Sequence, residues 1–391
     1  MENGMRPTSR RTLLKAAGVG VFGLGSAAVL PLFGTGGAIQ DPAKCRATDI
    51  SSSDRTLVVS NWPDYIDHIN KPGSTVSTFE ERTGISVDYT DDVNDNAEFF
   101  AKVRNQLGSC EPIGRDMMVL TDWMAARMIN LGWVQPLDAS KVPNLHKNLI
   151  PSLQKRAWDP DETYHAPWQS GLTGIAYNKK LTGEVKSFEE LLTRSDLKGK
   201  ITLLSEMRDT MAFMIRLVGG DPEKFTDTQW HNAIDKLRGA VSDGQVRAFT
   251  GNEYIQDLEA GNIVACEAWS GDVMLAQYDN KDIQFVVPEE GLAIWADNML
   301  VPNLAEHESN AEEWINYYYE PEVAAKLAAY VNYICPVEGA REAMEKIDPS
   351  LVDEPLIFPD KSFLANTFAF MALSEDQNRT YEGDFADVTG G

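Results

Sequence analysis

The chain has 391 residues, of which 43% are hydrophobic and 24% charged, which is typical of a folded globular protein and too long for one average domain. Its 59 acidic residues outnumber 35 basic ones and give a formal net charge of −24. Because so acidic a surface repels phosphate backbones, the composition argues against nucleic acid as a partner. The negative charge either attracts cations or serves only to keep the protein soluble.

The first 38 residues are typical of an export signal. Ser9-Arg10-Arg11-Thr12-Leu13-Leu14-Lys15 stands before an apolar run rich in Gly and Ala, and Gly36 and Ala38 offer small residues for cleavage. This pattern predicts a twin-arginine signal peptide over residues 1–38, the alternative being a retained membrane anchor. We therefore expect a periplasmic or otherwise extracytoplasmic protein that is either free or associated with the membrane.

Residues 39–54 are mostly polar, end in Ser51-Ser52-Ser53-Asp54 and predict a linker. Four cysteines have spacings unlike those of a zinc site, and outside the cytoplasm they allow three disulfide pairings. The one at position 266 lies in an apolar strand and is expected to be a buried free thiol. The four are Cys45, Cys110, Cys266 and Cys335. The five histidines are scattered, so we expect no metal and no cofactor.

Short β-branched or apolar runs and helical patterns alternate along the rest of the chain, which predicts an α/β fold with helices covering a sheet. The predicted strands are 56–60, 85–89, 117–120, 174–177, 201–204, 263–269, 283–287 and 295–301. The predicted helices are 76–83, 97–107, 122–130, 188–192, 210–217, 227–237, 254–260, 272–278, 311–319 and 321–331. The polar end, 375–391, is expected to fray.

Common enzyme signatures are missing from the sequence. It has no G-x-S-x-G elbow, no Walker phosphate loop, no G-x-G-x-x-G after a strand and no H-E-x-x-H. Glu206 and Asp209, three residues apart near a predicted helix start, are the one carboxylate pair to consider for a secreted hydrolase. Acids are also favoured at helix N-termini by the helix dipole, so we do not expect an enzyme.

Four of the nine tryptophans stand next to acidic residues at or near the ends of predicted strands: Trp62, Trp123, Trp269 and Trp295. In open α/β sheets, ligands bind at the carboxyl ends of the strands. Carboxylates and aromatic faces both attract ammonium groups, and flat apolar walls favour methylene chains. The pattern therefore predicts a site for an organic cation with a hydrocarbon stem.

Several short stretches carry a resemblance to a known family by their order along the chain. They are Asn61-Trp62-Pro63-Asp64-Tyr65, Phe79-Glu80-Glu81-Arg82-Thr83-Gly84-Ile85, Asp116-Met117-Met118-Val119, Gly174-Ile175-Ala176-Tyr177-Asn178, Gly251-Asn252, Trp269-Ser270-Gly271 and Trp295-Ala296-Asp297. Over about residues 56–336 the chain resembles the spermidine/putrescine-binding proteins of ABC importers. The resemblance implies a two-lobed, periplasmic-binding-protein-like fold with a ligand cleft between two α/β lobes.

The same resemblance implies lobe boundaries and partners. The chain would cross between lobes near Ser170 and return near Trp295, so that lobe 1 comprises 55–170 and 295–340, and lobe 2 comprises 171–294 and 341–391. The partners would be a polyamine ligand and the membrane subunits of an ABC permease, and the protein would be a monomer.

The ligand-binding residues carried over from the family are Trp62, Tyr65, Trp123, Glu206, Asp209, Trp269, Trp295, Asp297 and Tyr333. Glu206 and Asp209 would hold one amine and Asp297 the other, with Asp122 and Asp272 as further acids that are either helix caps or part of the site. Three acids would balance the charges of spermidine or exceed those of putrescine, so the ligand stays open between them. The alternative is another organic cation such as a betaine.

Overall fold

A computed structural model of the chain describes residues 41–390, so the export signal expected over 1–38 lies outside the described residues. The strands are β1 (Thr56–Ser60), β2 (Ser86–Thr90), β3 (Met117–Thr121), β4 (Ala166–Asn178), β5 (Ile201–Leu204), β6 (Val246–Thr250), β7 (Ala265–Trp269), β8 (Ile283–Val286), β9 (Leu292–Leu300) and β10 (Thr367–Phe368). The helices are α1 (Thr75–Thr83), α2 (Asn96–Gly108), α3 (Asp122–Asn130), α4 (Pro143–Asn148), α5 (Phe188–Thr193), α6 (Met207–Leu217), α7 (Asp227–Ser242), α8 (Tyr254–Ala260), α9 (Ser270–Asp279), α10 (Glu308–Tyr318), α11 (Pro321–Val331), α12 (Ala340–Ile347), α13 (Lys361–Leu364) and α14 (Glu375–Thr389). Between residues 41 and 390, no helix combines the length and the apolar character needed to cross a membrane.

The described strands form one mixed sheet in the order β2-β1-β3-β9-β4-β7-β5-β6, with β8 paired to β4 and β10 to β9. Each end of this order is a parallel set of three strands, β2-β1-β3 and β7-β5-β6. The two sets are joined through the long strands β4 and β9, which are antiparallel to each other. Ser170 pairs with Ala296 and Gly171 with Trp295, so the two expected crossing segments lie side by side. This is the α/β architecture that the sequence predicted.

β4 is much longer than the predicted strand at 174–177. All of its 13 residues are buried, including Gln169, Ser170 and Thr173. These polar residues and two glycines interrupt the apolar run, which is why the first half of the strand was missed. A strand this long lets β9 pair with one half and β7 with the other.

Two large hydrophobic clusters pack around the sheet. The first includes Trp133, Trp168 and Trp314, and the second is built on α5, α6 and α7. Met344 and Ile357, which the sequence interpretation placed in lobe 2, pack in the first cluster. The clusters do not follow the expected lobe boundaries residue by residue, and those boundaries remain a prediction.

The segment predicted as a linker contacts the body of the protein where the structure describes it. A disulfide joins Cys45 to Cys110, just after α2, with their Cα atoms 5.5 Å apart. The Ile50 amide donates to the carbonyl of Glu306 at 2.9 Å. Cys266 and Cys335 are both free and buried, which confirms the expectation for Cys266.

The prediction that the polar C-terminal end frays is wrong. Ser374 begins α14 with a capping box, in which its hydroxyl accepts from the Gln377 amide and the Gln377 side chain accepts in return. Tyr381, Phe385 and Val388 are buried, and their spacing of four and three residues places them on one face of the helix. One apolar residue in each turn was enough to dock a helix that is otherwise polar.

We expect Phe385→Ala to lower the free energy of unfolding by roughly 3 kcal/mol, because it empties a buried ring site in the second cluster. Thermal or urea unfolding measures this loss. The exposed Asp387 on the same helix provides the control, since Asp387→Ala changes helix composition without opening a cavity. Equal stabilities of the two variants would mean that α14 does not pack as described.

Candidate ligand-binding site

A cavity opens where the carboxyl ends of both parallel strand sets meet. Its lining residues are Trp62, Pro63, Tyr65, Thr121, Glu206, Asp209, Asn252, Trp269, Asp272, Trp295, Asp297 and Tyr333. Five of them end or follow the parallel strands β1, β3, β5, β6 and β7: Trp62, Thr121, Glu206, Asn252 and Trp269. The cavity therefore occupies the position where α/β sheets bind their ligands.

Five aromatic rings form a continuous series along this cavity. Trp62 contacts Trp269 with ring centroids 6.0 Å apart, and Trp269 contacts Trp295 at 6.4 Å. Tyr333 then lies 5.6 Å from Trp295 and 5.0 Å from Tyr65. The four pairs are edge-to-face or tilted, the geometry that aromatic quadrupoles favour. Such a series offers ring faces and edges to a ligand along its length.

Two features of the backbone allow the rings to pack this closely: residues with positive φ beside the rings, and a glycine that faces one of them. Asp64, between Trp62 and Tyr65, has a φ of 55°, and Asn332, before Tyr333, has a φ of 59°. Asp and Asn tolerate this left-handed conformation better than most residues. Gly271 has no side chain where a Cβ would lie 2.4 Å from Cε2 of Tyr333. The Tyr333 ring thus reaches the cavity only because residue 271 is glycine.

Four carboxyl groups line the cavity: Glu206, Asp209, Asp272 and Asp297. Within the part of the chain that the structure describes, no lysine, arginine or histidine lines it with them. Burial raises the pKa of Asp297 to about 7 and those of Asp209 and Asp272 to about 6. The cavity therefore holds desolvated acids with no base in its lining, and the charge of Arg208 lowers the pKa of Asp209 without offsetting the effect of burial.

Asp297 and Asp209 are held by hydroxyl groups of neighbouring strands. Thr121 donates to Oδ1 of Asp297 at 2.7 Å. The Trp295 indole N–H donates to the Thr173 hydroxyl at 2.9 Å, and Thr173 in turn donates to Asp209. These hydrogen bonds fix the carboxylates and one ring in a single orientation, but they bring no charge to balance the acids.

Glu206 stands just before α6 and faces the start of α2. Its Oε1 accepts from the Asn96 backbone amide at 2.6 Å and from the Asn96 side chain at 3.0 Å. Burial is the main cause that raises the pKa of Glu206 well above its ordinary value, and the charges of Asp95 and Asp209 add to it. An acid next to a helix N-terminus is favourably placed, yet this one is also surrounded by other acids.

Asp272, which the sequence left open between a helix cap and a site residue, lines the cavity. Its Oδ1 accepts from the Tyr333 hydroxyl at 2.8 Å. Its Oδ2 accepts from the Tyr254 hydroxyl at 2.8 Å and from Asn252 Nδ2 at 3.1 Å. Tyr254 also accepts from the Trp269 amide at 3.0 Å, so Asp272 helps to position two of the five rings.

Eight of the nine predicted site residues come together here, and Trp123 does not. The Arg208 guanidinium lies over the Trp123 ring with Cζ 3.2 Å from the centroid. Arg208 is buried and also reaches Oδ1 of Asn378 in α14. A cation of the protein itself therefore occupies the aromatic face that the sequence assigned to a ligand.

Sequence reasoning did not select Thr121, Pro63 or Asn252 as ligand-binding residues, although all three line the cavity. Asn252 follows β6, which the sequence did not predict as a strand. Had β6 been predicted, its carboxyl end would have marked Asn252 by the same rule that marked the tryptophans. The other extra acid, Asp122, lies outside this cavity, with Arg156 at 3.2 Å and Asn298 at 2.8 Å as partners.

A larger cavity, of about 570 Å³, shares Trp295 with the first one. Its walls carry acids and bases together, including Asp122, Arg156 and Arg341. Asp122 pairs with Arg156, and Arg341 pairs with Asp353. This mixed lining differs from that of the smaller cavity, where carboxyl groups meet no base.

Comparison with known proteins places the chain in a family. Residues 74–358 match the bacterial extracellular solute-binding protein family. The chain belongs to this family. A curated relative, the putrescine-binding periplasmic protein PotF of Escherichia coli (strain K12), is 29% identical over 88% of this chain and 93% of its own. Spermidine/putrescine-binding periplasmic protein 1 of Haemophilus influenzae is 26% identical over 84% of this chain and 87% of its own.

A solved structure of this kind has the same fold. The putative spermidine/putrescine ABC transporter from Listeria monocytogenes superposes with a TM-score of 0.75 at 28% identity, over 86% of this chain and 99% of that one. The solute-binding proteins of this type have two lobes with a cleft between them. The two parallel strand sets joined through β4 and β9 correspond to that two-lobed architecture.

We expect Gly271→Ala to destabilise the protein by about 1–3 kcal/mol, because the new methyl group collides with the Tyr333 ring. Gly239, in α7, is the matched control, since a Cβ there meets nothing within 4 Å. Gly239→Ala should be neutral or slightly stabilising, as expected for an exposed helical glycine. Thermal unfolding compares them, and equal midpoints would contradict the close approach at Gly271.

Proposed function

We propose that this protein is the extracytoplasmic substrate-binding subunit of an ABC importer and that it captures polyamines such as putrescine and spermidine. The observation that carries the proposal is the group of four carboxyl groups that line the cavity with no base among the described lining residues, beside a series of five aromatic rings. The relatives named putrescine- and spermidine-binding proteins support the same ligand class.

The chemistry of a polyamine matches both parts of this lining. Ammonium groups form charge-assisted hydrogen bonds with carboxylates, and the methylene groups between them gain about 0.8 kcal/mol each when buried against apolar walls. An ammonium group that lies over the face of an aromatic ring gains a further 0.5–2 kcal/mol, roughly. Burying four acids together without a cation is costly, and a ligand with separated positive charges removes that cost.

The acids come from separate elements, which favours a ligand with more than one charge centre. Asp297 belongs to β9, Asp272 to α9, and Glu206 and Asp209 to the start of α6. A betaine has one ammonium group and a carboxylate of its own, which would add a negative charge to four acids. Putrescine brings two positive charges and spermidine three, so both suit the lining better.

In this account the chain binds and delivers its ligand and catalyses no reaction. Contacts that a ligand makes with both lobes stabilise the closed form over the open one. The closed receptor, as a monomer exported by the twin-arginine pathway, then docks on the membrane subunits of the importer. The three acids carried over from the family and the five rings would be the ligand contacts.

We expect Asp297→Asn and Trp269→Ala each to weaken putrescine and spermidine binding by about tenfold or more, or about 1.4 kcal/mol. The first loses a carboxylate from the cavity, and the second loses the ring that connects Trp62 with Trp295 in the aromatic series. Isothermal titration calorimetry measures both, with betaine as the comparison ligand.

Trp123→Ala is the matched control for Trp269→Ala, because Arg208 covers the Trp123 ring outside the cavity. It should leave polyamine affinity within about threefold, a difference below 0.7 kcal/mol. The proposal fails if neither polyamine binds to the folded protein, or if betaine binds more tightly than both.

Polyamine affinity should fall as the pH is lowered from about 8 to about 5.5. Acids with raised pKa values carry protons near neutral pH in the free protein, whereas the ammonium groups need them ionised. Asp297 titrates near pH 7, and Asp209 and Asp272 near pH 6, so the loss falls in this window. Alkyl ammonium groups, with pKa values near 10, keep their charge throughout.

The expected change in dissociation constant is about tenfold or more over this range, since each acid that must lose a proton adds its own factor. Calorimetry at several pH values measures it. Asp297→Asn should make the dependence shallower, because it removes the cavity aspartate with the highest pKa. An affinity that stays constant from pH 8 to pH 5.5 would show that the cavity acids are ionised in the free protein.

A further inference from the structure

Asn252 lines the cavity, and the proposed function gives it no role so far. It lies just after β6 and two residues before α8, on the same side of the cavity as Asp272. The side-chain amide has one donor group and one acceptor oxygen, and each has a separate environment here.

The orientation of this amide follows from its neighbour. Asn252 Nδ2 lies 3.1 Å from Oδ2 of Asp272. An ionised carboxylate accepts hydrogen bonds and cannot donate, so the amide nitrogen and not the oxygen must face it. Oδ1 of Asn252 is thereby left as a buried acceptor, and within residues 41–390 no group donates to it. Leaving such an atom unpaired costs about 1–3 kcal/mol.

Asp272 by itself has little capacity left for a ligand. A carboxylate offers about four lone-pair positions, and three donors already occupy this one: Tyr333, Tyr254 and Asn252. A primary ammonium group has three N–H donors and needs more than one acceptor. The unpaired oxygen of Asn252 supplies the acceptor that Asp272 lacks.

From this geometry we infer that Oδ1 of Asn252 accepts a hydrogen bond from one terminal ammonium group of the polyamine, next to Asp272. The inference rests on the proposed function, and it adds one neutral acceptor, the Asn252 amide oxygen, to the carboxylates that bind the ammonium groups. It makes this end of the cavity selective for ammonium groups that carry several N–H bonds, because methylated amines have fewer donors to fill the acceptor.

Calorimetry with putrescine at about pH 8 tests the contact through three variants. Asn252→Ala removes donor and acceptor and should weaken binding by about tenfold. Asn252→Asp keeps an acceptor but cannot donate to Asp272, and should recover most of the affinity that the alanine variant loses. Asn262→Ala is the matched control: Asn262 makes the same amide–carboxylate bond with Asp257, at 2.9 Å, on an exposed surface. The Asn262→Ala variant should bind putrescine as tightly as the natural protein does.

Methylation of the ligand gives a second readout, because a general loss of affinity in the variant cancels from the ratio of two ligands measured on the same protein. Putrescine dimethylated on both nitrogens keeps one N–H at each end. The affinity ratio of putrescine to this analogue should be about fivefold larger for the natural protein than for Asn252→Ala, the sign of a direct coupling.

The outcomes separate this inference from the proposed function. No binding of any polyamine to the natural protein would overturn the proposed function itself. Putrescine binding that is unchanged in Asn252→Ala would overturn only the role of Asn252. If Asn252→Asp binds as weakly as Asn252→Ala, or if methylation has the same effect on both proteins, Asn252 acts through its donation to Asp272 and the contact with ligand is refuted.

Discussion

The burial of several carboxyl groups around one cavity, with no base among them, is the constraint on which the rest of the site depends. Glu206, Asp209, Asp272 and Asp297 each have hydrogen-bond donors from hydroxyl, amide or backbone groups, but these donors carry no charge. Such donors lower the cost of burial without removing the repulsion among the acids. The charge of the buried Arg208 and protonation of the acids near neutral pH relieve part of this repulsion, and a cation that enters the cavity relieves the rest. The aromatic series explains why that cation is organic, since rings offer a surface to methylene groups.

The fold creates this arrangement by bringing distant parts of the sequence to one place. The carboxyl ends of β1 and β3 come from the first parallel set, and those of β5, β6 and β7 from the second. Contacts cross between the two sets around the cavity. Glu206 accepts from Asn96, and the Ser205 hydroxyl donates to Asp95 at 3.2 Å. Farther out, Arg127 in α3 pairs with Glu382 in α14 at 3.2 Å. The residues proposed to bind the ligand therefore lie next to residues that connect the two strand sets.

The sequence predicted much of this because its strongest signals are local. The helices at 122–130, 254–260 and 321–331 have the predicted bounds, since apolar spacing and end signals agree there. The general behaviour of α/β sheets pointed to Trp62 and Trp269 at strand ends, and the family resemblance implied the acids and the two tyrosines. The edge strand β6 was missed because its pattern is half exposed, and α14 because few apolar residues mark it. The position of Arg208 over Trp123 depends on contacts with α14, some 170 residues away in the chain, and no local pattern encodes it.

The most direct test of the account is a crystal structure of the protein with putrescine bound. We expect both ligand nitrogens inside the smaller cavity, each about 3 Å from a carboxylate oxygen, with the methylene chain against the Trp269 and Trp295 rings. A ligand in the larger cavity, between the paired acids and bases near Asp122 and Arg156, would contradict it. So would a ligand whose nitrogens point into solvent while the four acids stay bonded only to neutral groups.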